Sequence, residues 1–347
     1  MTTYNAGWKS PSNIALVKYW GKKSGQIPAN PSISFTLDNA LTTTAVSAIS
    51  GKQTEGITLD FLFENQPNEA FALKVRTYLE SISNELLWLK THHITIHSTN
   101  SFPHSSGIAS SASASSALAL CLLSIDEKIN GKNRIDFFQK ASVLARLGSG
   151  SACRSVYGGY NLWGQTPAVS GSSDEYAVNI DHMVHPDLLQ LKDTILIVEK
   201  GSKQVSSTKG HALLNAHPFA ETRYKVAADN TVALLDILKE GNFEALSRMA
   251  ESEAMMLHAM MMTSPTPYIL MKPNTVAIIE KILDFRNQTG FHLFYTLDAG
   301  ANVHLISSDK HNEQVQQFVK NELVGYCQNG LYFCNAIGKG PLKTENA

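Results

Sequence analysis

The sequence has little cysteine: Cys121, Cys153, Cys327 and Cys334 are the four in 347 residues. No two stand at CxxC spacing, which argues against the short zinc and redox motifs and against a disulfide framework. An excess of charge is also lacking, with 29 Lys and Arg against 30 Asp and Glu for a net charge of −1. Such a balance provides no global field toward nucleic acid or membrane, so any anionic ligand must be held by locally placed cations and backbone dipoles. Long apolar runs are missing as well. The longest, Ala117 to Ile125, is interrupted by Ser124 and is too short to span a bilayer. Met1 to Lys9 is polar and has no apolar signal core. Together these absences predict a reduced, cytoplasmic protein with neither nucleic-acid nor membrane partners.

What is present is an ordinary globular composition, 43% hydrophobic, and a length that suggests about two domains. Alternation in Ala40 to Ile49 and His93 to His97 predicts half-buried strands. Ser111 to Ile125 reads as a buried helix and Ile135 to Leu147 as a second, ending at Gly148. Val156 to Trp163 reads as a strand entered through a tight turn at Gly158 and Gly159. Gln165 to Asp174, rich in Pro, Gly and Ser, predicts an exposed loop. Further on, Asp193 to Glu199, Phe291 to Leu297 and Asn302 to Ser307 read as strands. Ala220 to Lys239, Phe243 to Met262 and Asn274 to Gln288 read as helices. Without regular βαβ repetition this order predicts an α+β fold of two units. The boundary falls near residues 180 to 192, giving units 1–187 and 188–347.

Four segments carry candidate chemistry. In Pro103-His-Ser-Ser-Gly107-Ile-Ala-Ser110-Ser111-Ala-Ser113, a Gly and several hydroxyls lead into an apolar helix. Free N–H groups at a helix start favour phosphate, and hydroxyls can hold a magnesium ion. An N-cap before a small-residue packing helix explains the run equally well, and the Walker pattern GxxxxGK[ST] is absent. Asn13-Ile-Ala-Leu-Val-Lys18-Tyr19-Trp20-Gly21-Lys22-Lys23 sets three lysines beside two aromatics; a single solvated Lys is the plainer reading, but the cluster favours an anion site. Gly148-Ser149-Gly150-Ser151-Ala152-Cys153-Arg154-Ser155 presents one cation among small residues, either a carboxylate or phosphate pocket or a helix end with a surface Arg. Cys153 reads as a packing residue. In Thr296-Leu-Asp298-Ala-Gly300-Ala-Asn302, an Asp at a strand end is a candidate base or metal ligand, or else an Asx turn. Val205-Ser206-Ser207-Thr208-Lys209-Gly210 is a lesser candidate anion-binding turn.

In order along the chain, NIALVKYWGK, PANPSISFTLD, FPHSSGIASSAS, RLGSGSACRSVYGGY, VSSTKG and LDAGANV resemble the diphosphomevalonate decarboxylases, members of the GHMP kinase superfamily. The resemblance runs from Lys9 to Leu305, and the first and fourth segments are its most specific. It implies a two-domain GHMP kinase-like fold with a cleft between the domains, the use of ATP and magnesium, and a homodimer. Asp298 would be the catalytic acidic residue, Arg154 would hold the substrate carboxylate, and Lys18 would assist at the reacting hydroxyl. Asn13 would order Asp298 and Lys18. Tyr19, Lys22, Ser149, Ser151, Ser207 and Thr208 would contact a small phosphorylated substrate. Ser105, Ser106, Gly107, Ser110 and Ser111 would line the ATP phosphates, with Ser110 as a magnesium ligand and the adenine near the Ser-rich loop. His258 stands in the usual place on the family's substrate-side helix.

The chemistry expected of these residues is phosphorylation of a tertiary alcohol, followed by loss of phosphate and carbon dioxide. Asp298 would orient or deprotonate the hydroxyl, and Arg154 would position the carboxylate. The sequence departs from the family at DAGAN for DAGPN, at HSSGIASS for TAAGLASS, and at Thr208, where many bacterial members carry Arg; Lys209 or Lys203 would then substitute. A phosphomevalonate decarboxylase or mevalonate 3-kinase of the same fold is the nearest rival, and a non-catalytic sensor a remote one. His92, His93 and His97 show no further zinc ligand. The methionines at 255, 256 and 260–262 read as core filling.

Overall fold

The structure is a computed structural model that describes residues 1–51, 56–103, 108–201, 210–211 and 214–344. Its strands are β1 (Thr3–Val17), β2 (Ser32–Ser50), β3 (Thr58–Phe63), β4 (Gln66–Pro67), β5 (His92–Asn100), β6 (Tyr160–Trp163), β7 (Ala177–Asn179), β8 (Lys192–Leu196), β9 (Leu293–Leu297), β10 (Val303–Ser307), β11 (Tyr332–Ala336) and β12 (Leu342–Lys343). Its α-helices are α1 (Glu69–Ile82), α2 (Ser110–Asn130), α3 (Phe137–Gly148), α4 (Ala220–Glu240), α5 (Phe243–Met262), α6 (Pro273–Thr289) and α7 (Asn312–Phe318). Among the described residues, no helix is long and apolar enough to cross a membrane.

The strands form two sheets, so the architecture is α+β. The first runs β12-β1-β2-β5-β3-β4, with β6 pairing β2 and β7 pairing β6. All its pairings are antiparallel except β3 with β5. The second is antiparallel in the order β11-β8-β10-β9. The chain passes from one sheet to the other between β7 and β8, then returns at its far end, where β12 pairs with β1.

Three apolar layers hold these parts together. The first packs α1, α2 and α3 on β1, β2 and β5, through residues such as Leu79, Leu120, Leu144, Val46 and Ile96. The second joins the two sheets, setting Ile14, Phe35 and Leu37 with Ile195, Phe294 and Ile306 under Leu235 and Leu246. The third packs α6 and α7 on the second sheet, through Ile278, Ile282, Val315 and Phe318. Burying one such side chain contributes about 1.5–3 kcal/mol, so the middle layer alone ties the halves firmly.

Most expected elements are present, with shifted ends. Ile135, expected to open α3, is fully exposed, because the helix starts one residue past Asp136. The strand expected from Val156 shrinks to β6, since residues 150–156 form a 3₁₀ turn and Gly159 takes φ +61°. A Cβ at Gly158 would lie 2.4 Å from the Lys339 backbone, so the glycine pair admits that close crossing. The stretch 165–174 is a loop, as expected, although Thr166 and Val169 are buried.

Candidate active site

The end of β1 supplies the first group. The register of β1 with β2 shifts between Ala15 and Val17, a bulge of the kind that re-aims neighbouring groups. The Ala15 carbonyl accepts a hydrogen bond from Lys18 Nζ at 2.6 Å. Lys18 is 1% exposed, which rules out the solvated-lysine reading. Its ammonium lies 3.3 Å from Asp298 Oδ1, just past β9. Burial lowers the Lys18 pKa, the charges of Asp298 and Glu253 oppose that shift, and Arg154 adds to it. On α5, His258 donates from Nε2 to the Asp298 carbonyl at 3.1 Å. Burial holds the His258 pKa down to about 4, so the ring is neutral and its proton sits on Nε2.

The 3₁₀ turn after α3 supplies the second group. Arg154 is 2% exposed, not a surface residue. Its Nε and Nη2 each donate to Asn13 Oδ1 at 3.3 Å, and Nη1 donates to Ser32 Oγ. The guanidinium carbon stands 5.9 Å from the Trp163 ring centre. Asn13 is held in turn by the Ser151 carbonyl at 3.2 Å and Ser155 Oγ at 2.8 Å. Burial lowers the Arg154 pKa, whereas Cys153, Asp298 and Tyr19 push it back up. A guanidinium has five N–H donors, and the bonds to Asn13 and Ser32 fix its plane while leaving others for an anion. Cys153 is fully buried, and burial pushes its thiol up to about 12, which makes it packing and not a nucleophile.

Aromatic rings line the third part. The Tyr19 ring centre is 4.6 Å from Trp163 and 4.5 Å from His211, and Trp20 is 4.6 Å from His211 on the other side. His211 Nδ1 accepts the Gly21 N–H at 2.9 Å. Burial, with Lys22 nearby, brings its pKa to about 3. The buried Tyr19 hydroxyl has no hydrogen-bond partner among the described residues, and burial raises its pKa. Half-buried Lys22 donates to Gln26 Oε1 at 2.9 Å. The site is thus rich in donors and poor in acceptors, an environment suited to an anion.

Ser149 links this turn to the start of α2 by donating to Ser111 Oγ at 3.3 Å. The chain enters α2 through Ala109, at φ +44° with no side-chain cap; its carbonyl accepts the Ala112 N–H at 2.8 Å, and the N–H groups of Ser110 and Ser111 precede the first such bond. Beside them lies a cavity of about 250 Å³ lined by Phe61, Phe63, Phe71 and Leu118 together with Lys74, Asn100, Ser110 and Ser111.

The match to known proteins covers nearly the whole chain. Residues 10–177 match the family model described as diphosphomevalonate decarboxylase-like N-terminal domain, and residues 194–341 match the mevalonate 5-diphosphate decarboxylase C-terminal domain. A diphosphomevalonate decarboxylase of Ganoderma lucidum is 30% identical over 338 residues, covering 92% of this chain and 82% of its own. This chain belongs to the diphosphomevalonate decarboxylase family. Members of known structure share its fold. The mevalonate diphosphate decarboxylase of Staphylococcus aureus aligns with TM-score 0.83 at 26% identity, over 99% of both chains. A structure described as MDDEF in complex with MVAPP, AMPPCP and magnesium aligns with TM-score 0.83 at 25% identity, over 99% of this chain and 100% of that one.

Within this family fold, Lys18, Asp298, Arg154, Asn13, Tyr19, Lys22, Ser149 and Ser151 gather at one site, and Ser110 and Ser111 stand at its edge. Asn13 makes a definite set of contacts in it. Among the described residues its side-chain hydrogen bonds go to Ser151, Ser155 and Arg154, and it reaches the neighbourhood of the Asp298–Lys18 pair through Arg154. Ser105, Ser106, Gly107, Ser207 and Thr208, along with Lys203 and Lys209, lie outside the described residues. Sequence reasoning missed Ser32 and His211. Ser32 stands in the PANPSISFTLD segment, whose residues carried no assigned role. His211 is a lone histidine with no spacing signal. His93 pairs with Asp60 at 2.8 Å, and no group of three metal-binding side chains occurs among the described residues.

Proposed function

We propose that this protein carries out the ATP-dependent decarboxylation of mevalonate 5-diphosphate to isopentenyl diphosphate, a step of isoprenoid synthesis by the mevalonate pathway. The observation that carries the reading is the buried Arg154, fixed by Asn13 and Ser32 beside the Lys18–Asp298 pair. A kinase that only phosphorylated a hydroxyl would have little use for so rigid a carboxylate grip.

Asp298 accepts the proton of the 3-hydroxyl or orients it for attack. The desolvated Lys18, in its ammonium form, offsets the negative charge that gathers around that oxygen. Arg154 holds the carboxylate in the plane from which carbon dioxide departs, so its contribution is positioning. Tyr19, Lys22, Ser149 and Ser151 bind the anionic end of the substrate, and Ser207 and Thr208 belong to the same assignment.

The residues present suit a nucleotide. The start of α2, which has no side-chain cap from Ala109, and the hydroxyls of Ser110 and Ser111 offer donors to phosphate, and the Phe-lined cavity beside them suits an adenine. Ser105, Ser106 and Gly107 complete the phosphate loop in this reading. ATP supplies the phosphoryl group, and magnesium, with Ser110 as a ligand, neutralises phosphate charge. The division into units 1–187 and 188–347, a cytoplasmic location and a homodimer belong to the same proposal; sedimentation equilibrium checks the last.

The test is release of phosphate and carbon dioxide from mevalonate 5-diphosphate with ATP and magnesium, wild type beside Asp298→Asn. Joint release by the wild type supports the reading. Phosphate without carbon dioxide would make the protein a 3-kinase, and turnover of the monophosphate alone would transfer it to the phosphomevalonate decarboxylases.

A further inference from the structure

Val17 is the last residue of β1 to pair with β2, so the peptide groups of Lys18 need partners from elsewhere. Two buried side chains supply them. The Lys18 N–H donates to Glu253 Oε2 at 2.8 Å, and the Lys18 carbonyl accepts from Asn30 Nδ2 at 3.1 Å. Glu253 is 0% exposed and lies on α5; Asn30 is 3% exposed and lies in the segment before β2. With the Ala15 carbonyl on Nζ, Lys18 is held at its nitrogen, its carbonyl and its head.

A buried backbone N–H needs an acceptor but not a charged one. Burying a carboxylate is costly unless it is paired and hydrogen-bonded. Glu253 meets both conditions, with Arg223 Nη2 at 2.5 Å and Asn230 Nδ2 at 2.6 Å. The neutral alternative, an amide of the same length, would satisfy the Lys18 N–H without that cost. The carboxylate adds negative charge close enough to favour the Lys18 ammonium.

We propose that Glu253 is a positioning residue for the reaction, fixing the Lys18 peptide and, with Asn30, setting the direction from which the ammonium meets Asp298. The inference rests on the decarboxylase reading above. It assigns Glu253 no contact with substrate: the residue acts through Lys18.

The test compares wild type with Glu253→Gln, which keeps an acceptor for the Lys18 N–H but removes the charge. Because that change strands the Arg223 charge, Glu253→Gln/Arg223→Met is made beside it, and Asn30→Ala removes the second hold without stranding any charge. The expected result for each folded variant is a kcat lowered about tenfold or more, with KM for mevalonate 5-diphosphate nearly unchanged. In the two Glu253 variants the alkaline limb of the kcat–pH profile also moves to lower pH, since losing a negative neighbour disfavours the ammonium. A lower melting temperature with wild-type kcat and alkaline limb would make Glu253 merely structural and overturn the proposal. If neither Glu253 variant folds, an unchanged kcat in Asn30→Ala overturns it. A wild type that turns over no substrate would instead sink the decarboxylase reading. In that case the ¹³Cε titration of Lys18, identified by its loss in Lys18→Arg, decides the inference in lysine-labelled protein, and coincident curves for wild type and Glu253→Gln overturn it.

Discussion

Lys18 Nζ and Asp298 Oδ1 lie 3.3 Å apart, with the lysine side chain 2% exposed and the aspartate side chain 28% exposed. The aspartate, the proposed base, is wet enough to receive a substrate, and the cation beside it is buried. That asymmetry lets the pair meet an incoming hydroxyl from the aspartate side while the ammonium stays desolvated and strongly felt.

Asp298→Asn keeps the shape and removes the proton acceptor. The expected loss in kcat is about 10²- to 10⁴-fold, with little change in melting temperature. Coupled phosphate-release kinetics and a thermal scan check both.

Lys18→Met separates stability from activity. The folded pKa of Lys18 is depressed below its unfolded value. Between the two values the unfolded chain keeps the proton and the folded chain has lost it, so this residue's contribution to stability rises with pH across that window. Below the window, folding carries the full cost of the buried charge. The variant should therefore be inactive, melt no lower than wild type at pH 7, and lack that alkaline rise. Melting curves from pH 6 to about 10 test the sign.

Arg154→Lys keeps the charge and loses the planar fork that Asn13 and Ser32 orient. The expected fall in kcat/KM for mevalonate 5-diphosphate is about 10- to 100-fold, the loss of one or two charge-assisted hydrogen bonds. Nucleotide affinity, read by calorimetry, should be unchanged.

How far these roles were legible in the sequence depended on the surroundings of each residue. Asp298 and Arg154 stand out because a charged residue among small or apolar neighbours needs a reason. Strand β1 did not. Ser10, Ser12 and Asn13 are buried in it and bonded to Ser116, the Ile108 carbonyl and Ser155, so its polar residues point inward and the alternation expected of a strand is lost. Glu253 was equally hidden. Its partners Lys18, Arg223 and Asn230 are distant in sequence, and a Glu on a helix ordinarily reads as a solvated face.

Gly150→Ala probes the aromatic wall. A Cβ there would lie 2.7 Å from the Tyr19 hydroxyl and 3.0 Å from the Trp163 ring. Overpacking of this kind costs about 1–3 kcal/mol. The expected outcome is a displaced Tyr19, a higher KM for substrate and a lower melting temperature, read by steady-state kinetics and a thermal scan.

His211 and His258, held at about 3 and about 4 by burial, should stay neutral throughout the physiological range. Their imidazole proton resonances are expected to show no titration above about pH 5. A midpoint near 6.5 for either would contradict this burial.

The pairing of β12 with β1 sets a timetable for synthesis. Trp8 and Lys9 stand opposite Lys343 and Leu342, yet the described α-helices α1 to α7 are all translated between them. The outer edge of β1 therefore stays open until residues 342–343 have left the ribosome, and an open strand edge is a template for pairing with other chains. The strand that leads to Lys18 gains this neighbour only once residues 342–343 have been made, which leaves nascent chains stalled before residue 342 with that edge exposed to aggregation.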